Sequence, residues 1–120
     1  MAKIDHIIFK SNAYRSLVNG KIEGKFDTHH ECRLGKWYDS GLAKEKFSHL
    51  PSYKEIEHPH ATVHQKANSN LHFLEDGDHS VEHQDEVISN FETMERASLQ
   101  LFNVMDNLVA ESEKELGATI

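Results

Sequence analysis

Apolar residues keep a helical period along most of the chain. From Lys3 to Val18, Ile4, Ile7, Ile8, Tyr14, Leu17 and Val18 recur at three- and four-residue steps. That spacing predicts a first helix with this stripe turned inward. His6 stands beside the stripe and so faces inward or nearly so. Asn19-Gly20 supplies a helix stop, and residues 19–27 read as a Gly-containing loop. The capping-box spacing of Thr28 and Glu31 opens a second helix, which carries Cys32, Leu34, Trp37 and Tyr38 and ends near Ser40-Gly41. The short region 42–51 closes on His49-Leu50-Pro51, and Ser52 with Glu55 forms another capping-box pair for a short helix through Ile56. Pro59 suits the first turn of a third main helix that runs to about Leu74. His60, Val63, His64, Ala67, Leu71 and Leu74 share its inward stripe. After the turn Glu75–Asp78 comes the longest helix, about residues 79–116, with Val81, Val87, Ile88, Phe91, Met94, Leu101, Phe102, Met105, Leu108 and Val109 in period. From Gly117 onward the tail reads as frayed. With no repeat, no low-complexity tract and no strand-like alternation, the expected fold is all-α. It is an antiparallel four-helix-type bundle in which three long helices are joined by one or two additional short ones.

Composition narrows the function. At 120 residues the chain fits a single domain, 1–120, with room for a real core. Lys and Arg total 13 against 20 Asp and Glu, a formal charge of −7. That balance excludes a basic face for nucleic acid or for an anionic membrane surface. No run approaches the roughly 18 apolar residues of a spanning helix, and the N-terminus lacks the apolar stretch of a secretory signal. A lone cysteine rules out an intrachain disulfide and fits a reducing, cytoplasmic compartment. The chain also holds 10 histidines, which directs attention to metal chemistry.

His60 and His64, four apart on the inward stripe, project from one helix face and can grip one metal ion. Read alone, the pair is equally open to two surface or helix-end histidines. Burial beside Val63, Ala67 and Leu71 would require a shared partner, for which a divalent metal is the simplest choice. Cys32 is either a small core residue or a ligand. Its surroundings, Cys32-Arg-Leu-Gly-Lys-Trp-Tyr38, favour the second. Gly35 inside a helix costs about 1 kcal/mol relative to Ala, which implies close approach by another backbone or helix. Trp37 and Tyr38 either shield such a site or form core and rim. His6 is either a satisfied core histidine or the fourth donor. With all four the set is His3Cys, which suits tetrahedral zinc and leaves no open position for a catalytic water. No nucleophile arrangement or phosphate loop is present, so an enzyme is not expected.

These elements, His6-Ile-Ile-Phe9, then Cys32-Arg-Leu-Gly-Lys-Trp-Tyr38, then His60-Ala-Thr-Val-His64, resemble the chemoreceptor zinc-binding (CZB) domain. That family's pattern is a His followed three residues later by an aromatic, a Cys-x-Leu/Phe-Gly-x-Trp-Tyr block, and His-x-x-x-His. The spacings of 26 residues from His6 to Cys32 and 28 from Cys32 to His60 are similar to the family's. The likeness covers about residues 4–75, and it departs at Phe9, where the family usually has Trp. It implies that His6, Cys32, His60 and His64 bind one Zn2+ per chain. It further implies a regulatory domain of bacterial cytoplasmic signalling proteins, methyl-accepting chemotaxis receptors or diguanylate cyclases, whose domains pair as homodimers. The expected function is therefore a zinc-binding sensory module. Its Cys32 thiolate would respond to zinc itself or to oxidants such as hypochlorous acid. The chain reads as a stand-alone small protein or as a piece of a longer receptor.

Two other classes compete with this reading. A hemerythrin-like di-iron bundle would use His79 and His83, but it needs carboxylates and a ligand from the last helix, and no His follows residue 83. A helical dimerisation module would pair through the long last helix and use metal only structurally. Among the remaining histidines, His79, His83, His49 and His72 read as exposed. His29 or His30 can exchange with a ligand beside Cys32, and His58 is an outside candidate to replace His60.

Overall fold

The computed structural model describes residues 2–118; the last helix continues through Gly117 and Ala118, where the tail reads as frayed, and the rest of that expected tail lies outside the described residues. The long helices are α1 (Ala2–Asn19), α4 (Glu57–His72) and α5 (Gln84–Ala118). Between α1 and α4 lie α2 (Arg33–Ser40), α3 (Leu42–Phe47) and a 3-10 helix over Pro51–Ile56. A further 3-10 turn, Val81–His83, leads into α5. The fold is the all-α bundle that the periodicity predicts. No helix among the described residues is long and apolar enough to cross a membrane.

Polar cross-links fix the helix directions. Asn70 near the end of α4 donates to the carbonyl of Val87 at 3.0 Å and accepts from Asn90 at 2.9 Å, both near the start of α5. At the opposite end, the Ser52 backbone N–H donates to Glu111 at 3.1 Å. α4 and α5 are therefore antiparallel. Lys3 pairs with Asp106, Lys10 pairs with Glu95 at 3.3 Å, and Tyr14 stacks on Phe91, so α1 also runs antiparallel to α5. α1 and α4 thus lie parallel, side by side.

Two apolar clusters fill the bundle. One joins Phe9 and Ala13 of α1, Val63 and Ala67 of α4, and Met94 and Ala97 of α5. The other joins Leu34, Leu50 and Ile56 to Leu101, Val104 and Leu108, with Trp37, Tyr38 and Tyr53 packed on its edge. Trp37 and Tyr38 are thus core and rim. Tyr38 stacks on Tyr53, whose hydroxyl donates to the Tyr38 carbonyl.

Three local expectations need correction. First, the α1 stripe faces outward. Ile4 is 54% exposed, Ile7 49%, Ile8 54% and Val18 84%, while His6, Phe9, Ala13 and Ser16 are buried. Phe9 is the one large apolar residue among these four; His6, Ala13 and Ser16 are polar or small, which lets α1 approach α4 closely enough for the imidazoles of the two helices to meet. Second, α2 starts at Arg33 rather than Thr28. The Thr28–Glu31 pair does close a turn, with the Thr28 N–H donating to the Glu31 carboxylate at 3.0 Å, but the helix does not continue from it. Third, Ser52 caps nothing through Glu55. Its N–H and hydroxyl both donate to Glu111 across the bundle, and the segment from Pro51 is 3-10. α4 begins at Glu57, which puts Pro59 third in the helix, still where a backbone N–H has no helical partner.

Candidate metal centre

Where the two apolar clusters meet, side chains from three elements converge. α4 supplies His60 and His64, 1% and 2% exposed. α1 supplies His6, 2% exposed, and the residue before α2 supplies half-buried Cys32. One ligand atom from each of the four lies within 4.8 Å of all the others. His6 Nε2 and His64 Nε2 are 3.2 Å apart, as are Cys32 Sγ and His60 Nε2. Tetrahedral zinc with bonds of about 2.0–2.1 Å to nitrogen and 2.3 Å to sulfur sets nitrogens about 3.3 Å apart and nitrogen and sulfur about 3.5 Å apart. The donor set and both short separations fit such an ion. No carboxylate joins this group among the described residues.

Local structure prepares each donor. His64 Nδ1 lies 2.8 Å from the Asp27 carbonyl, which can only accept, so the proton sits on Nδ1 and the Nε2 lone pair points into the cluster. Phe9 packs against the same ring at a centroid distance of 4.4 Å. Burial, followed by repulsion from His6 and His64, lowers the His60 pKa to about 2. Burial likewise lowers that of His64 to about 4, against the opposing pull of the Asp27 carbonyl. Both imidazoles are therefore neutral at pH 7, the form in which histidine ligates metal.

Cys32 has a role that its place in the predicted helix concealed: it is the N-cap of α2. Its sulfur accepts from the Gly35 N–H at 3.4 Å, so it sits at the positive end of the helix. Burial pushes the thiol pKa up, while the Gly35 and Leu34 N–H groups pull it down. A bound cation would complete the shift to thiolate.

Gly35 shows the close approach expected of it. A Cβ there would overlap the carbonyl of His29, because the 28–31 turn lies directly on the first turn of α2. Helix propensity alone makes Gly→Ala favourable by about 1 kcal/mol. Gly35→Ala is nevertheless expected to destabilise the protein by about 1–3 kcal/mol through forced displacement of that turn. It should also weaken metal binding, since Cys32 ends the displaced segment. Thermal unfolding with chelator competition measures both effects, and a stabilised variant would contradict this geometry.

The other histidines lie elsewhere. His58 is exposed and does not replace His60. His79 is exposed and lies 2.9 Å from the Asp76 carbonyl, while His83 stacks on Phe73. His49 pairs with Glu115, and His72 with Glu75. His29 and His30 ride the turn ahead of Cys32, paired with Glu57 and Asp39. The Asp27 carbonyl and the buried Asn70 bridge were not legible in advance. A polar residue three positions after Ala67 on the inward stripe was the one available signal for Asn70.

A cleft of about 390 Å3 opens onto the cluster. His6, Cys32 and His64 form its floor, with Asp5, Lys25 and Arg33 among its walls. Arg33 pairs with one Asp5 oxygen at 3.1 Å, and the other, buried, has no hydrogen-bond partner among the described residues.

Compared with known families, residues 6–71 match the family model described as chemoreceptor zinc-binding domain. The matched stretch opens on His6 and contains Cys32, His60 and His64. No curated protein and no solved structure matches the chain.

Proposed function

The chain belongs to the chemoreceptor zinc-binding domain family, and from that premise we propose that His6, Cys32, His60 and His64 hold one zinc ion in a sensory module of a bacterial cytoplasmic signalling protein. One observation carries this reading: three buried imidazoles and the only thiol of the chain converge within coordination range. Four protein donors fill a tetrahedral shell, so the site serves structure or sensing rather than hydrolysis. Held by these four residues, zinc would keep the thiol deprotonated, and the donors would tie α1, α4 and the start of α2 together.

Cys32 is the responsive member of the set. It is only half-buried and forms part of the floor of the cleft, so a small oxidant reaches it without unfolding the bundle. The thiolate sulfur attacks the chlorine of hypochlorous acid and expels hydroxide, and water then displaces chloride from the sulfenyl chloride with loss of a proton, leaving Cys32 as the sulfenic acid. The product is a weaker donor. With Cys32 released, α2 keeps Leu34 in the cluster of Leu50, Ile56 and Leu101 and the Arg33–Asp5 pair, but loses its tie through the metal to α1 and α4, and the resulting shift passes to an attached output domain. That output domain, methyl-accepting or diguanylate cyclase, lies in the same or a longer chain. The outward row of Ile4, Ile7 and Ile8 supports pairing of two copies as a homodimer.

Hypochlorous acid added to zinc-loaded protein is expected to form a trappable sulfenic acid at Cys32 and to release zinc to a chromogenic chelator in parallel. Oxidised Cys32 with zinc fully retained would remove the oxidant input and leave zinc occupancy as the signal.

A further inference from the structure

Next to the buried donors stands a second group whose residues the zinc reading does not use. His29, His30 and Glu57 place one ligand atom each within 4.8 Å of one another. His29 Nε2 lies 2.9 Å from Glu57 Oε1, shorter than the roughly 3.4 Å between donors of a tetrahedral zinc and near the roughly 3 Å that adjacent donors at about 2.0–2.2 Å span around a five- or six-coordinate one. His30 Nδ1 lies 2.7 Å from Asp39 Oδ2, so Nδ1–H donates to the carboxylate and the neutral ring keeps its Nε2 lone pair for a cation. A carboxylate holding a histidine by its far nitrogen is the usual support behind a metal-bound imidazole.

The turn that carries both histidines is held in place before any ion arrives. The Glu31 and Cys32 N–H groups both donate to the Thr28 carbonyl, the Thr28 N–H donates to Glu31, and the backbone at His29 rests on Gly35. The two rings lie 4.0 Å apart, and His29 also meets the ring of His60 edge-on at 5.5 Å. His30 is exposed, and His29 and Glu57 are partly so.

We propose that His29, His30 and Glu57 form a second divalent-metal site at the rim of the buried one, taking a nitrogen- and oxygen-preferring ion such as zinc. Three protein donors leave at least one coordination position to water, so this site is weaker and exchanges faster than the buried one. It adjoins the buried cluster through His29 and His60. It requires nothing of Cys32, so it stands or falls separately from the His3Cys assignment.

Calorimetric titration of zinc into the full chain tests it. The expected result is a second, weaker equivalent whose affinity falls at least about tenfold in His30→Ala and in Glu57→Gln, with the first equivalent unchanged. His79→Ala, an exposed carboxylate-paired histidine elsewhere, leaves both equivalents as they were. Absence of a second equivalent would overturn the proposal, as would one that survives both substitutions or that His79→Ala removes equally. The cluster would then be two surface ion pairs and no metal site. Loss of the tight equivalent alone in Cys32→Ser, with the weak one retained, would separate the two sites directly.

Discussion

Chelating the zinc is expected to lower the unfolding temperature by at least about 15 °C. Structural zinc contributes on the order of 10 kcal/mol to small domains at neutral pH, and 1 kcal/mol moves the midpoint of a chain this size by several degrees. Even a third of that contribution gives the stated shift. Without the ion, the donor atoms of His6, His60, His64 and Cys32 crowd one another in a largely buried cluster with no cation to share. The zinc-free protein should also lose stability on acidification. The folded-state pKa values of His60 and His64, about 2 and about 4, lie below the ordinary 6.5, so the unfolded chain binds more protons at lower pH. Stability is therefore full above about 6.5 and falls as pH drops below it. Thermal unfolding with chelator and after zinc is restored, at two pH values, measures both effects. A midpoint that moves by only a few degrees would contradict the account.

Removing a single donor should nearly abolish tight binding. Four ligands share a binding free energy of about 10–16 kcal/mol, so each accounts for roughly 2.5–4 kcal/mol, or about 100- to 1,000-fold in affinity. Cys32→Ser and His60→Ala are each expected to weaken zinc by that much in competition with a chelator of known affinity. Cys32→Ser additionally keeps a capping oxygen for the Gly35 N–H, so α2 should stay folded and the loss should read on the metal alone. His79→Ala should change nothing, since His79 lies on the distal turn beside Asp76. Equal loss in all three variants would show that the assigned ligands are wrong.

Much of this site can be read along the chain because its elements are local. His60 and His64 sit one helical turn apart on a stripe whose apolar members, Val63, Ala67 and Leu71, are all buried as the period predicts. The Cys32 to Tyr38 block likewise keeps its spacing inside one short segment. α1 departs from its expected orientation for a physical reason. Its most apolar residues, Ile4, Ile7 and Ile8, lie outward, and His6 with Ala13 and Ser16 lies inward. Periodicity ranks faces by hydrophobicity and so inverts where a face is chosen for donors and close approach. His6 faces inward as expected, although the apolar stripe beside it is exposed. The remaining misses, Ser52 to Glu111, Asn70 to Val87 and the Asp27 carbonyl behind His64, are contacts across the fold that no spacing encodes.

The most direct test of the central assignment is X-ray absorption at the zinc edge of the purified, zinc-loaded protein. The account predicts one zinc per chain in a four-coordinate shell of three nitrogens at about 2.0–2.1 Å and one sulfur at about 2.3 Å. A shell without sulfur, or one dominated by oxygen, would contradict it.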